Sequence, residues 1–231
     1  MVKGLYWSML CYTNGDVTRR RVRDDFFTSP EKDEKSDGWS EFSRSIRTTA
    51  PGNEGCAGMY FTMDEITPAI NGGPHLRACA ASGKPEMVDA FDDKTRNARA
   101  VIEMRALAIK KHITTLMPDL IAKSSGDNSP QLLVTGGASN NADILQVFAD
   151  VFQRPVRCLD ISEGAAFGAA VRAYHAWQDA DKDAGKLAEK LMSQSKVCAM
   201  PNANAATSYD TTLQAYSYLE EKALNERSRS L

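Results

Sequence analysis

The residues whose types and spacing best suit chemistry lie in Leu132-Leu-Val-Thr-Gly-Gly-Ala-Ser-Asn-Asn-Ala-Asp-Ile-Leu145. A short apolar run enters Gly136-Gly137 and gives way at once to a helical pattern. A strand, a Gly-Gly turn and a helix in that order let the backbone approach a flat or anionic ligand, because glycine carries no Cβ to clash. The start of the helix adds N–H groups without intrahelical partners and the positive end of its dipole. Asn141 stands at that start, where its side chain can cap the helix or turn an amide toward a ribose or base. The same residues also suit an ordinary tight turn between strand and helix. They do not form a dinucleotide fingerprint, because the third glycine of G-x-G-x-x-G is replaced by Asn140 or Asn141.

Other reactive side chains form no pattern of their own. Cys11, Cys56, Cys79, Cys158 and Cys198 are odd in number, widely spread and without a C-x-x-C pair. Neither a disulfide framework nor a zinc site is expected from them, and reduced thiols in a cytosolic setting are. His75, His112 and His175 lack i, i+4 partners, so structural or surface roles are expected and no metal site is. The 231 residues carry 28 Lys+Arg against 30 Asp+Glu. That balance argues against a nucleic-acid surface, which must neutralise several phosphates. The longest apolar runs fall well short of the ~20 residues of a membrane span. The segment from Met1 to Leu10 lacks the pattern of a secretory signal, so a cytoplasmic protein is expected.

The elements that position the glycine turn follow from periodicity. Residues from Thr95 onward place Val101, Ile102, Met104, Ala108, Ile109, Ile113 and Leu116 on a broad apolar stripe, which predicts a helix ending near Pro118. A strand at 131–135 is predicted next, then a helix from Asn141 to Phe152 and a strand from Val156 to Cys158. Ser162 would cap a small-residue helix from Glu163 to Trp177. The alternation favours a parallel sheet flanked by helices. Upstream, Leu5–Tyr12 and Val17–Val22 around Asn14-Gly15 read as a hairpin, with Arg19, Arg20, Arg21 and Arg23 on a solvated strand face. A helix from Asp37 to Thr48 would present Trp39, Phe42 and Ile46, followed by a strand at Met59–Phe61. Residues 24–38, 71–93 and 192–206 read as irregular. A helix over 207–225 would dock on the core, with a frayed end after it.

Several stretches together resemble the carboxy-terminal domain of the FGGY carbohydrate kinases. Thr135 to Val156 resembles that family's Gly-Gly-Ala/Gly-Ser turn, its helix with an Ile-Leu-Gln…Ala-Asp-Val run, and its Pro-Val strand. Ser162 to Ala173 resembles its Glu-Ala-Ala…Gly-Ala-Ala helix, and Arg99-Ala-Val-Ile-Glu103 its Arg-Ala-Leu-Ile-Glu helix. Within the family, animal-type xylulokinases share Trp39–Ser43, Tyr60-Phe61, the run Glu65–Ile70 and the Leu10–Gly15 segment. The resemblance implies an actin/hexokinase-like (ribonuclease-H-like) α/β ATPase fold, here without its first strand. It implies a nucleotide-binding domain over 1–192 with an irregular insertion at 24–94. A carboxy-terminal extension would follow over 193–231, carrying the docking helix 207–225.

The resemblance further implies transfer of the ATP γ-phosphoryl group to D-xylulose with ATP and Mg2+ as cofactors. Trp39, Gly136, Gly137, Ala138 and Asn141 would bind nucleotide, with no metal ligand and no catalytic residue on this chain. The base and the sugar-binding residues of the family lie in its amino-terminal domain. A pentulose would bind only with that domain, and neither nucleic acid nor membrane is an expected partner. A non-catalytic binding module that retains the same fold is the alternative expectation.

Overall fold

The computed structural model describes residues 8–28, 38–80, 83–118, 130–159, 161, 163–177 and 193–230. They form two compact units, Met1–Leu116 with Asn204–Leu231 and Met117–Ala203.

The first unit, among the described residues, is built on four α-helices and a small antiparallel sheet. β1 (Cys56–Met59), β2 (Leu76–Cys79) and β3 (Glu86–Met87) lie in that order. Cys56 pairs with Cys79, and Met59 with Leu76. The expected irregular stretch at 71–93 therefore supplies two strands, and the expected strand at Met59–Phe61 begins three residues earlier. Cys56 and Cys79 stand opposite one another and are joined in a disulfide, which corrects the expectation of reduced thiols throughout. The neighbouring amide of Ala80 donates to Gly55 O at 2.9 Å, which makes Cys56–Cys79 the closer, non-hydrogen-bonded kind of pair.

Around that sheet, α3 (Arg96–Leu116) buries the first half of the predicted stripe, Val101, Ile102, Met104 and Ala108, together with Leu107, while Ile109 and Ile113 are half-buried and Leu116 is exposed. α2 (Trp39–Thr48) buries Phe42 and Ile46 as predicted. α6 (Ala206–Ser230) extends past the expected end at 225 and leaves no frayed segment before Ser230. Its Tyr209, Thr212, Ala215, Tyr216 and Leu219 recur at helical spacing and are fully buried against the sheet and α3.

The expected hairpin is absent: residues 8–15 form no strand, and α1 (Asp16–Phe26) replaces its second arm. Charge spacing explains the helix, since Asp16 pairs with Arg19 and Arg20 at 2.9 Å and Arg21 with Asp25 at 3.4 Å. Such i, i+3 and i, i+4 pairs meet on one helical face. Asn14 is a tertiary anchor instead of a turn residue. Its Oδ1 accepts from Thr62 N at 2.9 Å, and its Nδ2 donates to Met63 O at 2.8 Å. The loop expected from Asp24 to Gly38 begins after this helix, and its residues 29–37 lie outside the described ones.

Long-range ionic hydrogen bonds tie this unit together. Glu103 Oε1 accepts from Arg99 Nε at 2.7 Å, from Gly52 N at 2.9 Å and from the Tyr209 hydroxyl at 2.9 Å. Arg99 also donates to the Tyr209 oxygen and to Ile46 O. Burial pushes the Glu103 carboxyl upward against the pull of Arg99. Glu65 is the second hub, accepting from Thr13 N at 2.6 Å, Ile66 N at 2.9 Å and Arg105 Nη2 at 2.9 Å.

The second unit carries the glycine turn. β4 (Leu132–Val134) and β5 (Val156–Cys158) run parallel, joined by α4 (Ala142–Phe152). β6 (Lys196–Ala199) adds antiparallel to β5, where an irregular stretch was expected. Leu145 and Ala149 of α4 pack with Val156 and Ala199, flanked by Leu132, Val134 and Phe148. This small core holds the turn. α5 (Gly164–Trp177) follows β5; its expected cap, Ser162, lies outside the described residues.

Candidate functional site

Between β4 and α4 the chain makes a tight 3-10 turn over Gly137–Asn140. Gly136 enters it at φ +83° and ψ −171°, a conformation that is essentially restricted to glycine. The Ser139 hydroxyl donates to Gly136 O at 2.7 Å, and Ser139 N donates to the same oxygen at 3.0 Å. Ser139 is thus a positioning residue that the motif reading passed over; a serine three residues beyond a glycine carbonyl is the signal for such a turn.

Neither glycine is required by packing. A Cβ placed on Gly136 or on Gly137 would meet no atom within 4 Å, and both residues are exposed. The turn presents bare backbone to open space, as a surface laid against a flat ligand must. It stands at the carboxyl end of a parallel strand, with the start of α5 beside it: a Cβ on Gly164 would lie 3.5 Å from Thr135 Cβ. In open α/β sheets this is the end where ligands bind.

Asn141 is the N-cap of α4. Its Oδ1 accepts from Asp143 N at 3.0 Å and Ile144 N at 3.1 Å, and its carbonyl accepts from Leu145 N at 3.1 Å. The first-turn N–H groups that could have received an anion are therefore largely taken, and Asp143 adds a carboxylate to the same turn. This favours an uncharged part of a ligand over a phosphate at the helix start, and it leaves Asn141 Nδ2 as the amide atom for that ligand. Gly136, Gly137, Ala138 and Asn141 are thus brought together on one turn.

Trp39 belongs to the first unit. The Arg23 guanidinium lies 4.7 Å from the centre of its ring, and Phe42 meets it edge-on at 5.3 Å. The Arg23 contact joins α1 to α2, and the Phe42 contact lies within α2. A cavity in the same unit, lined by Met59, Phe61, Gly72, Gly73, Leu76 and Arg227, contains none of the predicted site residues.

The histidines take structural places where they are described. His75 Nε2 pairs with Asp25 Oδ2 at 2.8 Å, and His112 bridges the Tyr12 hydroxyl and Glu220 at 2.9 and 3.0 Å. Among the described residues no three His, Cys, Asp or Glu side chains are arranged to hold a metal ion. No helix of the described residues is long and apolar enough to cross a membrane.

A parallel strand pair with a bare glycine turn at its carboxyl end is the kind of site found in nucleotide-binding α/β domains. Residues 71–177 match the FGGY family of carbohydrate kinases, C-terminal domain. It is 35% identical to the xylulose kinase of Mus musculus over 226 residues, covering 98% of this chain and 37% of the mouse protein. The chain thus spans little more than a third of that relative's length. Its fold is that of the actin/hexokinase-like sugar kinases. The xylulose kinase of Rhodospirillum rubrum superposes with a TM-score of 0.65 at 18% identity, over 92% of this chain and 38% of that one. A gluconate kinase from Lactobacillus acidophilus gives 0.64 at 16%, over 91% and 38%.

Proposed function

We propose that the chain is the nucleotide-binding part of a cytoplasmic sugar kinase that transfers the γ-phosphoryl group of ATP to D-xylulose, giving D-xylulose 5-phosphate. The observation that carries the reading is the exposed Gly136-Gly137 turn at the carboxyl end of β4, where a Cβ on either glycine would meet no atom within 4 Å. In this reading the adenosine of ATP or ADP lies across Gly136, Gly137 and Ala138. Asn141, held by its capping bonds, donates from Nδ2 to the ribose or base. The open space over both glycines fits such a group, because any Cβ there would occupy the ligand's path. Mg2+ travels with the nucleotide phosphates, which it neutralises during transfer.

The proposal assigns nucleotide contact to these residues and not removal of the proton from the sugar. The choice of D-xylulose rests on the relatives that bear that name, since a gluconate kinase shares the fold. Residues 1–192 are proposed as the kinase domain and 193–231 as its extension. Trp39 is proposed as a further nucleotide contact, to be tested separately by Trp39→Leu.

Calorimetric titration of the full chain with ADP and Mg2+ tests the reading, with wild type set against Gly137→Val. The valine Cβ meets nothing within 4 Å and the residue is exposed, so thermal stability is expected to hold. Affinity is expected to fall at least tenfold, equivalent to about 1.4 kcal/mol. Equal affinity in the two proteins, or no binding by wild type at millimolar ADP, overturns the assignment and leaves a non-catalytic module of the same fold.

A further inference from the structure

The second unit contains a pair of thiols that nucleotide binding does not use. Among the cysteines outside the Cys56–Cys79 disulfide, Cys158 is half-buried and Cys198 exposed. They lie on adjacent antiparallel strands. Cys158 of β5 stands opposite Lys196 of β6, Arg157 opposite Val197, and Val156 opposite Ala199. That register leaves Cys198 as the extra residue of a bulge. A bulge re-aims the side chain it inserts. Here Cys198 Sγ turns back to 3.5 Å from Lys196 O, the carbonyl of the residue facing Cys158. The bulge thus sets the Cys198 sulfur beside the Cys158–Lys196 pair, on strands already tied by ladder bonds, where a local displacement can bring two sulfurs to the ~2.05 Å of a disulfide.

We propose that Cys158 and Cys198 form a reversible dithiol–disulfide pair, closed by a hydroperoxide and reopened by a thiol reductant. Exposure makes Cys198 the sulfur that meets the oxidant. Its sulfur attacks a peroxide oxygen, the O–O bond breaks, and with hydrogen peroxide one water leaves as Cys198 becomes a sulfenic acid. Cys158 sulfur then attacks Cys198 sulfur. The S–S bond forms, the S–O bond breaks, and the hydroxyl leaves as a second water with the Cys158 proton. Two thiols are oxidised by two electrons in all, and the peroxide is reduced by the same two.

Burial and the neighbouring sulfur push the Cys158 thiol up to about 11, which disfavours Cys158 as the first attacker. The pair also has a defined place beside the glycine turn. Cys158 is the register partner of Val134, two residues before Gly136.

The test is peptide mapping of the full chain after hydrogen peroxide treatment and alkylation of the remaining thiols. Trypsin can cut after Arg157 and after Lys196, which places the two cysteines on separate peptides. The expected product is one linked peptide pair lighter by two hydrogen atoms, lost on treatment with dithiothreitol. Cys11→Ser is expected to leave that product intact. Cys158→Ser is expected to abolish it and to leave Cys198 open to a sulfenic-acid-trapping reagent. The proposal is overturned if both cysteines of wild type are still alkylated separately after Cys11 has been oxidised, or if Cys198 links to Cys11 instead. Because the wild-type map decides the matter, failure of a variant to fold does not leave it open.

Discussion

Substitution of Asn141 separates a cap from a ligand contact, because its two side-chain atoms have different tasks. Oδ1 receives the amides of Asp143 and Ile144 at 3.0 and 3.1 Å, so Asn141→Ala removes a complete N-cap. Such a loss costs about 1 kcal/mol, within about 0.5–2. For a chain of this size that lowers the melting temperature by roughly 2–4 °C. Aspartate caps as well as asparagine does, so Asn141→Asp is expected to melt with wild type. It nevertheless removes the Nδ2 donor and puts an acceptor in its place. If that donor meets the ribose or base, the missing hydrogen bond costs about 0.5–1.5 kcal/mol. ADP affinity should then fall roughly two- to tenfold. The assays are thermal melting by circular dichroism and calorimetric titration with ADP, on the same three proteins. Two results refute the reasoning: Asn141→Asp binding ADP as tightly as wild type, or Asn141→Ala melting with it.

Other consequences are as direct. Gly136→Ala forces a Cβ onto a backbone at φ +83° and is expected to destabilise by about 1–3 kcal/mol in urea unfolding. Gly137→Ala, with no such backbone and nothing within 4 Å, is expected to change little. Tyr209→Phe removes the hydroxyl shared by Arg99 and Glu103 and is expected to cost about 1.5–3 kcal/mol. Replacing Arg99 and Glu103 together by apolar residues of similar volume is expected to cost less than removing either alone, by the same measurement, because no buried charge is left unpaired. Glu65 and Glu220 are held below the ordinary value of 4.5, against the opposing effect of burial, by amide donors and Arg105 for Glu65 and by His112 and Lys111 for Glu220. Their contribution is therefore complete above pH 4.5 and is lost as pH falls through their folded values. Glu220→Gln is expected to flatten that acid limb in a pH series of melting curves.

Legibility in the sequence follows the range of the interactions. The strand 132–134, the turn, α4 and β5 were readable because a glycine pair, a capping amide and an apolar period each act within a few residues. α2 and α3 were readable for the same reason. What escaped depends on partners far along the chain. β2 and β3 are short and polar enough to pass for loop until β1 pairs with them, and β6 reads as irregular until it meets β5. The Cys56–Cys79 disulfide follows from strand register, which spacing alone does not disclose. Asn14-Gly15 misled because the asparagine's preference for turns was overruled by tertiary hydrogen bonds to residues 62 and 63.

The same distinction separates two kinds of motif within the family resemblance. Arg99, Glu103 and Glu65 belong to stretches as recognisable as the glycine turn, yet each is buried and committed to hydrogen bonds inside the first unit. Their chemistry is spent on tying α3 to α2, to α6 and to the loop residues Thr13, Gly52 and Ile66. Exchanging them should remove activity only by unfolding the domain. The turn is the opposite case, since a Cβ on either glycine would meet nothing within 4 Å and Gly136 adopts a backbone that long-range packing does not demand. Its backbone is held by the local bonds from Ser139 to Gly136 O, and the space above it is open. The charged pins account for the fold, and the open turn is left as the place where the proposed nucleotide contact is to be tested.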